Sequence, residues 1–272
     1  MQVRDDDAGT ATGARNDGAA AGASVKSAAR ALDLLDDIAA NGPATRAELS
    51  IRMGIPKSSI HAVLRTMTAR GWLELDHAGG DYRLGFRALV LSPAFLESDP
   101  AVRRAAPMLD RLAAVTGETA HLGRLHDDHM IVLDKRDPAR PAPMASVVGR
   151  RLPAYCTAMG RAVLATRAEG TRAELVPDVI RPLTPHTTTD KDAVLDLIAQ
   201  AAALGYAVES EEACRGVRCF GVALPPVGAA AYALSVAIPL DRLDGPLEVR
   251  TIRTLLGLAA GTARVHVANA PQ

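Results

Sequence analysis

Residues 45–73 read TRAELSIRMGIPKSSIHAVLRTMTARGWL, and the spacing in this stretch decides the fold of the first third of the chain. Thr45 precedes Glu48 by three residues, the pairing in which a hydroxyl and a carboxylate satisfy the open N–H groups of a helix start. Ala47, Leu49 and Met53 recur along the helix so begun, and Gly54 stops it. Ile55 and Pro56 follow at once, and proline suits the first turn of a helix because its missing N–H would have no partner there. The next helix is expected over residues 56–70. Its apolar stripe is Ile60, Val63, Leu64 and Met67, the i, i+3, i+4, i+7 pattern of one buried face. Opposite that stripe lie Ser58, Ala62 and Arg65, flanked by Ser59, His61 and Thr66, with Lys57 in the first turn.

Upstream, Ser24 can cap a helix carrying Ala28, Leu32, Leu35 and Ala39 and ending at Asn41-Gly42-Pro43. Downstream, Trp72-Leu73-Glu74-Leu75-Asp76 alternates as a strand, residues 77–80 turn, and Asp81-Tyr82-Arg83-Leu84 returns. Helix, helix, tight turn, helix and hairpin make a winged helix-turn-helix domain, expected over residues 23–85. In that arrangement the first turns of the last helix point into the major groove. Small hydroxyls there bond base edges or phosphates, Arg65 suits guanine or phosphate, and Lys57 neutralises phosphate. Arg83, on the returning strand, places a charge beside the backbone or minor groove. Residues 23–90 hold nine basic and seven acidic side chains, a slight excess concentrated from Arg46 onward. The polar face taken alone also fits the solvated side of an ordinary helical bundle; the hairpin after it favours the DNA-binding reading.

The remainder is mixed. Residues 1–22 are Ala, Gly, Asp and Thr with almost no large apolar side chain, so a disordered tail is expected. A linker helix is expected over residues 86–97, within a linker of 86–99, with Pro93 kinking or breaking it. Pro100 opens another helix to Thr116, with Leu109, Leu112 and Ala113 inward. Strands are expected at 119–125, 130–135, 146–148, 206–208, 219–224 and 233–238, and helices at 157–165, 191–204 and 247–265. Helices and strands mingle without regular βαβ alternation. The second domain, residues 100–268, is therefore expected to be α+β with an antiparallel sheet.

The chain has 272 residues, enough for two domains, and 48% apolar against only 3% aromatic residues, so the cores must be built from Ala, Leu, Val and Ile. No stretch approaches the roughly 20 uninterrupted apolar residues that span a bilayer. The acidic start is no secretory signal, and three cysteines make no disulfide framework, so a cytoplasmic location with reduced thiols is expected and no membrane partner. The 31 basic and 31 acidic residues cancel, unlike a non-specific nucleic-acid binder; a specific one needs only a local basic face.

The ordered set of motifs resembles the IclR family of bacterial transcription regulators. It begins at Ser24-Val25-Lys26-Ser27 and Ala31-Leu32-Asp33-Leu34-Leu35. It continues through Gly54-Ile55-Pro56-Lys57-Ser58-Ser59-Ile60-His61, Gly71-Trp72-Leu73 and Tyr82-Arg83-Leu84-Gly85. In the second domain it takes in Gly117-Glu118-Thr119-Ala120-His121-Leu122 and Pro153-Ala154-Tyr155-Cys156-Thr157-Ala158-Met159-Gly160-Arg161-Ala162. Gly205-Tyr206-Ala207, Glu211-Glu212 and Gly216-Val217-Arg218-Cys219 complete it, so nearly everything from 24 to about 265 is covered. The resemblance implies a GAF-like effector-binding domain for a small, often carboxylate-bearing metabolite. It also implies a homodimer or tetramer on partly palindromic double-stranded operator DNA, and either repression or activation. Three positions depart from the pattern. Ala62 stands where a basic residue is usual, Arg46 replaces an apolar one and offers an extra phosphate contact, and Pro93 is unusual in the linker. The candidate DNA-contacting residues are Thr45, Arg46, Lys57, Ser58, Ser59, His61, Arg65 and Arg83.

For the effector, residues 153–162 bring an irregular loop into a helix start, where the free N–H groups of Ala158 and Met159 can hold a carboxylate. The resemblance implies that an acidic side chain, a cysteine and two serines on the sheet line the same site, and these fall on Glu209, Cys219, Ser235 and Ala237. Alanine in place of the second serine implies a less polar, slightly larger pocket, suited to an aromatic or longer-chain organic acid. Cys219 and Ser235 read equally as small core residues. His121, His126 and His129 read as turn and surface residues of one hairpin, and no metal or cofactor is expected. Two further functions stay open: an enzyme built on Cys156 with His121, and a DNA-binding dimer whose second domain takes no ligand.

Overall fold

The computed structural model describes residues 25–76, 78–138 and 146–268, the side chains of 263–268 excepted. The expected tail, the Ser24 cap and His77 of the wing turn lie outside the described residues. The chain divides into two compact units, one ending at Pro93 and the other beginning at Ala94.

The first unit opens with α1 (Lys26–Asn41), ended by Gly42 at φ 80°, and a two-residue strand β1 (Ala44–Thr45). Helices α2 (Arg46–Arg52) and α3 (Lys57–Ala69) follow, then strands β2 (Leu73–Leu75) and β3 (Asp81–Leu84). The Thr45–Glu48 capping box forms in both directions. Pro56 stands one residue before α3 rather than inside its first turn. β1 pairs with β3, so the wing is a three-stranded antiparallel sheet ordered β1-β3-β2 rather than a bare hairpin. Two residues between Pro43 and the capping box carry too little periodicity to announce a strand. Leu34 and Ile38 of α1, Leu49 of α2, Ile60, Leu64 and Met67 of α3, and Leu73 of β2 share one core. Each such side chain contributes about 1.5–3 kcal/mol when buried.

Helix α4 (Phe86–Ser98) runs on with Pro93 inside it, so of the two expected effects of Pro93, a kink or a break, the break does not occur. A proline costs a helix one hydrogen bond and a clash with the carbonyl four residues earlier, which bends a helix more readily than it ends one. Asp99, at 6% exposure, caps α5 (Pro100–Thr116) by accepting from Ala101 N–H at 2.8 Å.

The second unit is a six-stranded antiparallel sheet ordered β6-β5-β4-β9-β8-β7. Its strands are β4 (Thr119–His126), β5 (His129–Arg136), β6 (Arg151–Pro153), β7 (Ala207–Ser210), β8 (Val217–Val227) and β9 (Ala230–Pro239). A 3₁₀ turn (Ala154–Cys156) leads into α6 (Ala158–Ala165), followed by α7 (Glu169–Leu175), α8 (Lys191–Leu204) and the final α9 (Gly245–Ala268). The strand expected at 146–148 does not form. Ser146 instead bonds His121, Val147 and Val148 are exposed, and Gly149 at φ 88° turns the chain into β6. α7 was not expected; its seven residues carry no buried side chain to mark a period.

Alternation along the strands divides the sheet into two faces. Leu122, Phe220, Val222, Leu234 and Val236 pack with Leu109 and Leu112 of α5 and Leu255 of α9. Met130, Val132 and Ala233 pack on the other side with Met159 and Val163 of α6 and Val194 and Ile198 of α8. The start of α6 is pressed hard onto this second face. A Cβ at Gly221 of β8 would lie 2.6 Å from the Ala158 carbonyl, and one at Gly160 would overlap the Ala154 carbonyl. Gly160→Ala is therefore expected to destabilise the protein by at least about 1–3 kcal/mol. That corresponds to a melting temperature lower by roughly 2–4 °C per kcal/mol. An unaltered melting curve would contradict this seating of α6.

Candidate functional site: an outward helix face and a buried cavity

Because Ile60, Leu64 and Met67 anchor α3 in the core, the residues between them must face away. Lys57, Ser58, His61, Ala62 and Arg65 are all exposed, and Ser59 is half-buried. No apolar side chain larger than alanine interrupts this strip. Thr45, Arg46 and Lys57 border one open concavity with Gly80 and Tyr82 of the wing, so the two helix starts and the wing present one continuous surface. The Thr45 hydroxyl and backbone N–H are both occupied within its cap, bonded to Glu48 at 2.9 and 2.8 Å. Arg46 Nη1 stands 3.4 Å from His61 Nδ1, tying the first residue of α2 to the middle of α3. Arg83 forms an ion pair with Glu74 of β2 at 3.0 Å, so its charge is partly offset. An exposed pair of this kind is worth little and exchanges readily for a phosphate.

The second site is a small cavity in the face of the sheet that carries α6. His121 of β4, Glu209 of β7, Cys219 of β8 and Ser235 of β9 line it, together with Thr157, Ala158 and Met159 at the α6 start and Ser146. The polar members are nearly inaccessible: His121 2%, Glu209 3%, Ser235 4%. Thr157 caps α6 by accepting from Gly160 N–H at 3.0 Å, leaving the first two N–H groups of the helix without intrahelical acceptors. Glu209 Oε2 accepts from Glu212 N–H at 2.9 Å and Ala213 N–H at 3.4 Å, and the Cys219 thiol also bonds its carboxyl. Arg161 of α6 is buried behind the site and held bidentately by Glu212 at 2.6 and 2.7 Å. That pair fixes the loop after β7 to the helix.

Of the residues expected here, Ala158, Met159, Glu209, Cys219 and Ser235 meet around the cavity. Ala237 does not border it: opposite Cys219 in the β8–β9 pairing, it packs with Ala158, Val217 and Cys219 beside the lining. The cavity encloses about 30 Å³, room for about two waters, and is smaller than the substitution at 237 led one to expect. His121 was misplaced by sequence reasoning. It faces inward, and its Nε2 bonds Ser146 Oγ at 2.8 Å. Its place inside an apolar strand, Thr119-Ala120-His121-Leu122, was the available signal. His126 is exposed and His129 pairs with Asp128. Cys156 bonds the Pro153 carbonyl, and burial pushes its thiol up to about 12, so it carries no thiolate at neutral pH. Among the described residues no group of three or more His, Cys, Asp or Glu is placed to hold a metal ion.

Burial sets the protonation of the cavity. It pushes the Glu209 carboxyl up to about 7 despite the N–H and thiol bonds that pull it down, and it drives His121 down to about 4, helped by Lys135. Their effects on stability have opposite sign. The raised Glu209 contributes stability below about 4.5 that is lost as pH rises through 7, while the depressed His121 contributes stability above 6.5 that is lost as pH falls through 4. Glu209→Gln removes the first contribution. The stability of this variant relative to the parent should therefore rise by about 3 kcal/mol between pH 4.5 and pH 8 in urea denaturation. A difference independent of pH would show that Glu209 is not buried as described.

Comparison with known proteins agrees with this geometry. Residues 27–77 match the IclR helix-turn-helix domain, and residues 94–262 match the bacterial transcriptional regulator IclR C-terminal domain. The chain is 34% identical over 217 residues to the HTH-type transcriptional regulator BhcR of Paracoccus denitrificans, covering 79% of this chain and 78% of that protein. It is 32% identical over 200 residues to the HTH-type transcriptional regulator XynR of Escherichia coli, covering 73% and 79%. An IclR transcriptional regulator from Alicyclobacillus acidocaldarius superimposes with a TM-score of 0.76 at 26% identity, over 89% of this chain and 98% of that one. An IclR homologue from Microbacterium hydrocarbonoxydans, solved as a complex with 4-hydroxybenzoate, shares the fold with a TM-score of 0.68 at 23% identity, over 88% and 99%. A helix-turn-helix with an outward polar strip and a second unit with its own lined cavity, matched over both units, place this chain in the IclR family of bacterial transcriptional regulators.

Proposed function

We propose that the chain binds a specific operator through the outward face of α3 and that a small carboxylate-bearing effector in the cavity alters that binding. The observation that carries the first half is the strip Lys57, Ser58, His61 and Arg65, exposed as a unit by the burial of Ile60, Leu64 and Met67. The strip is short, polar and cationic, and it opens at a helix start, where N–H groups favour phosphate. In this reading Arg65 reads a guanine edge, and Lys57, Arg46 and Arg83 meet phosphates.

The cavity supports the second half. Five buried polar groups and an open helix start converge on a space too small for a structural role that apolar packing would fill better. At about 30 Å³ it favours acids of two or three carbons, and an aromatic acid enters only with movement of the walls. The chain acts as a homodimer or tetramer in the cytoplasm: α4 exposes Phe86, Leu89, Val90, Leu91 and Phe95, an apolar strip of the kind that a second copy covers. No helix among the described residues is long and apolar enough to cross a membrane.

Two substitutions test the DNA reading. On duplex from the chain's own upstream region, Arg65→Ala should weaken specific binding by about 1–3 kcal/mol and relax one base position. Lys57→Ala should weaken binding to all sequences and reduce the slope of log K against log salt by about one unit. Electrophoretic shifts at controlled salt measure both; unchanged affinity in both variants would remove α3 from the interface.

A further inference from the structure

We infer that the cavity takes its acid together with one proton, which Glu209 and the ligand carboxylate share. This rests on the effector reading above and names how that site accepts charge. A carboxylate seated on the open N–H groups of Ala158 and Met159 enters a space whose lining, among the described residues, contains no lysine or arginine. What it meets instead is a second carboxyl, that of Glu209, at 3% exposure. Two carboxylates in a space of about 30 Å³ cannot both stay ionised, so one proton from solvent must accompany the ligand.

The groups around Glu209 offer no other source of compensation. Glu212, on the loop after β7, is already paired bidentately with Arg161, and that arginine's Nε donates to the Tyr155 carbonyl. Cys214 on the same loop, Cys219 on β8 and Cys156 in the 3₁₀ turn have thiols held above their ordinary range by burial, hence neutral. Arg150 is not one of the lining residues, and its charge offsets part of the rise of the Cys214 thiol. His121, on β4, feels Lys135, whose charge is paired with Asp137 at 2.6 Å; burial keeps the imidazole neutral above about pH 4, so it can bond a ligand but not charge-balance it. The α6 start supplies only a partial charge, about half a unit at most. Glu209 itself, pushed up to about 7 by burial, is poised to hold the proton at neutral pH.

The consequence is an effector response that strengthens as the medium acidifies. Isothermal titration of the full chain with acetate and with glyoxylate at pH 6 and pH 8 reads it directly. The free site holds its proton at pH 6 and has lost most of it at pH 8, so both acids should bind about tenfold more weakly at pH 8. In Glu209→Gln, the affinity should be the same at the two pH values. Equal affinity of the parent at both pH values overturns the shared proton and leaves the effector reading standing. PH dependence that persists in Glu209→Gln overturns the assignment to Glu209. Binding of neither acid at either pH overturns both the shared proton and the effector reading.

Discussion

Helix α3 is held by Ile60, Leu64 and Met67, three side chains that recur every three to four residues and sit in the same core as Leu34, Leu49 and Leu73. Everything the first unit presents outward follows from that anchoring. With 3.6 residues per turn, burying 60, 64 and 67 forces 58, 61 and 65 to the opposite side. Rotating the helix to hide its hydroxyls and guanidinium would expose three large apolar side chains and bury a charge, each costing several kcal/mol. The interface is the remainder left when the core is satisfied. The capping box at Thr45 and Glu48 adds to this by fixing where α2 starts, and with it the position of Arg46 beside His61.

The second unit uses a different constraint. Gly221 lets α6 approach the sheet, and Gly160 lets it pack on the 3₁₀ turn at Ala154, more closely than any side chain would permit, and the Arg161–Glu212 pair locks the helix to the loop after β7. A buried pair of this quality stabilises little in net terms, but removing one partner is costly, so it fixes geometry more than it adds stability. The helix start, Glu209 and Ser235 are thereby brought around one space. Polar groups buried at this density demand partners. The cavity supplies these internally in part, through Ser146 to His121 and the loop N–H groups to Glu209.

Much of this was legible in the sequence. The period of Ile60, Val63, Leu64 and Met67 gave α3 and its outward face, Thr45 and Glu48 gave the α2 cap, and the alternation around Asp127 and Asp128 gave the β4–β5 hairpin. What failed lacked a periodic signal. β1 has two residues, α7 buries nothing, and Val147-Val148 has strand-like residues but no partner strand. His121 was misread because proximity in sequence to His126 and His129 counted for more than its apolar neighbours. Ala237 was carried onto the lining from a family pattern, whereas the side chain packs against Ala158 and Cys219 beside it. The inward turn of a single side chain depends on sheet register, which residue types alone do not set.

The claim that binds these parts is that the α3 strip enters a duplex groove. Replacing Ser58 with cysteine, in a chain whose own Cys156 and Cys219 are buried and whose half-buried Cys214 is changed to serine, places a reactive thiol in the middle of that strip. The rate of its alkylation should be that of an exposed thiol in the free protein. It should fall steeply on adding upstream duplex and much less on adding a shuffled duplex of the same length. A rate unaffected by the upstream duplex, under conditions where a complex forms, would contradict the account.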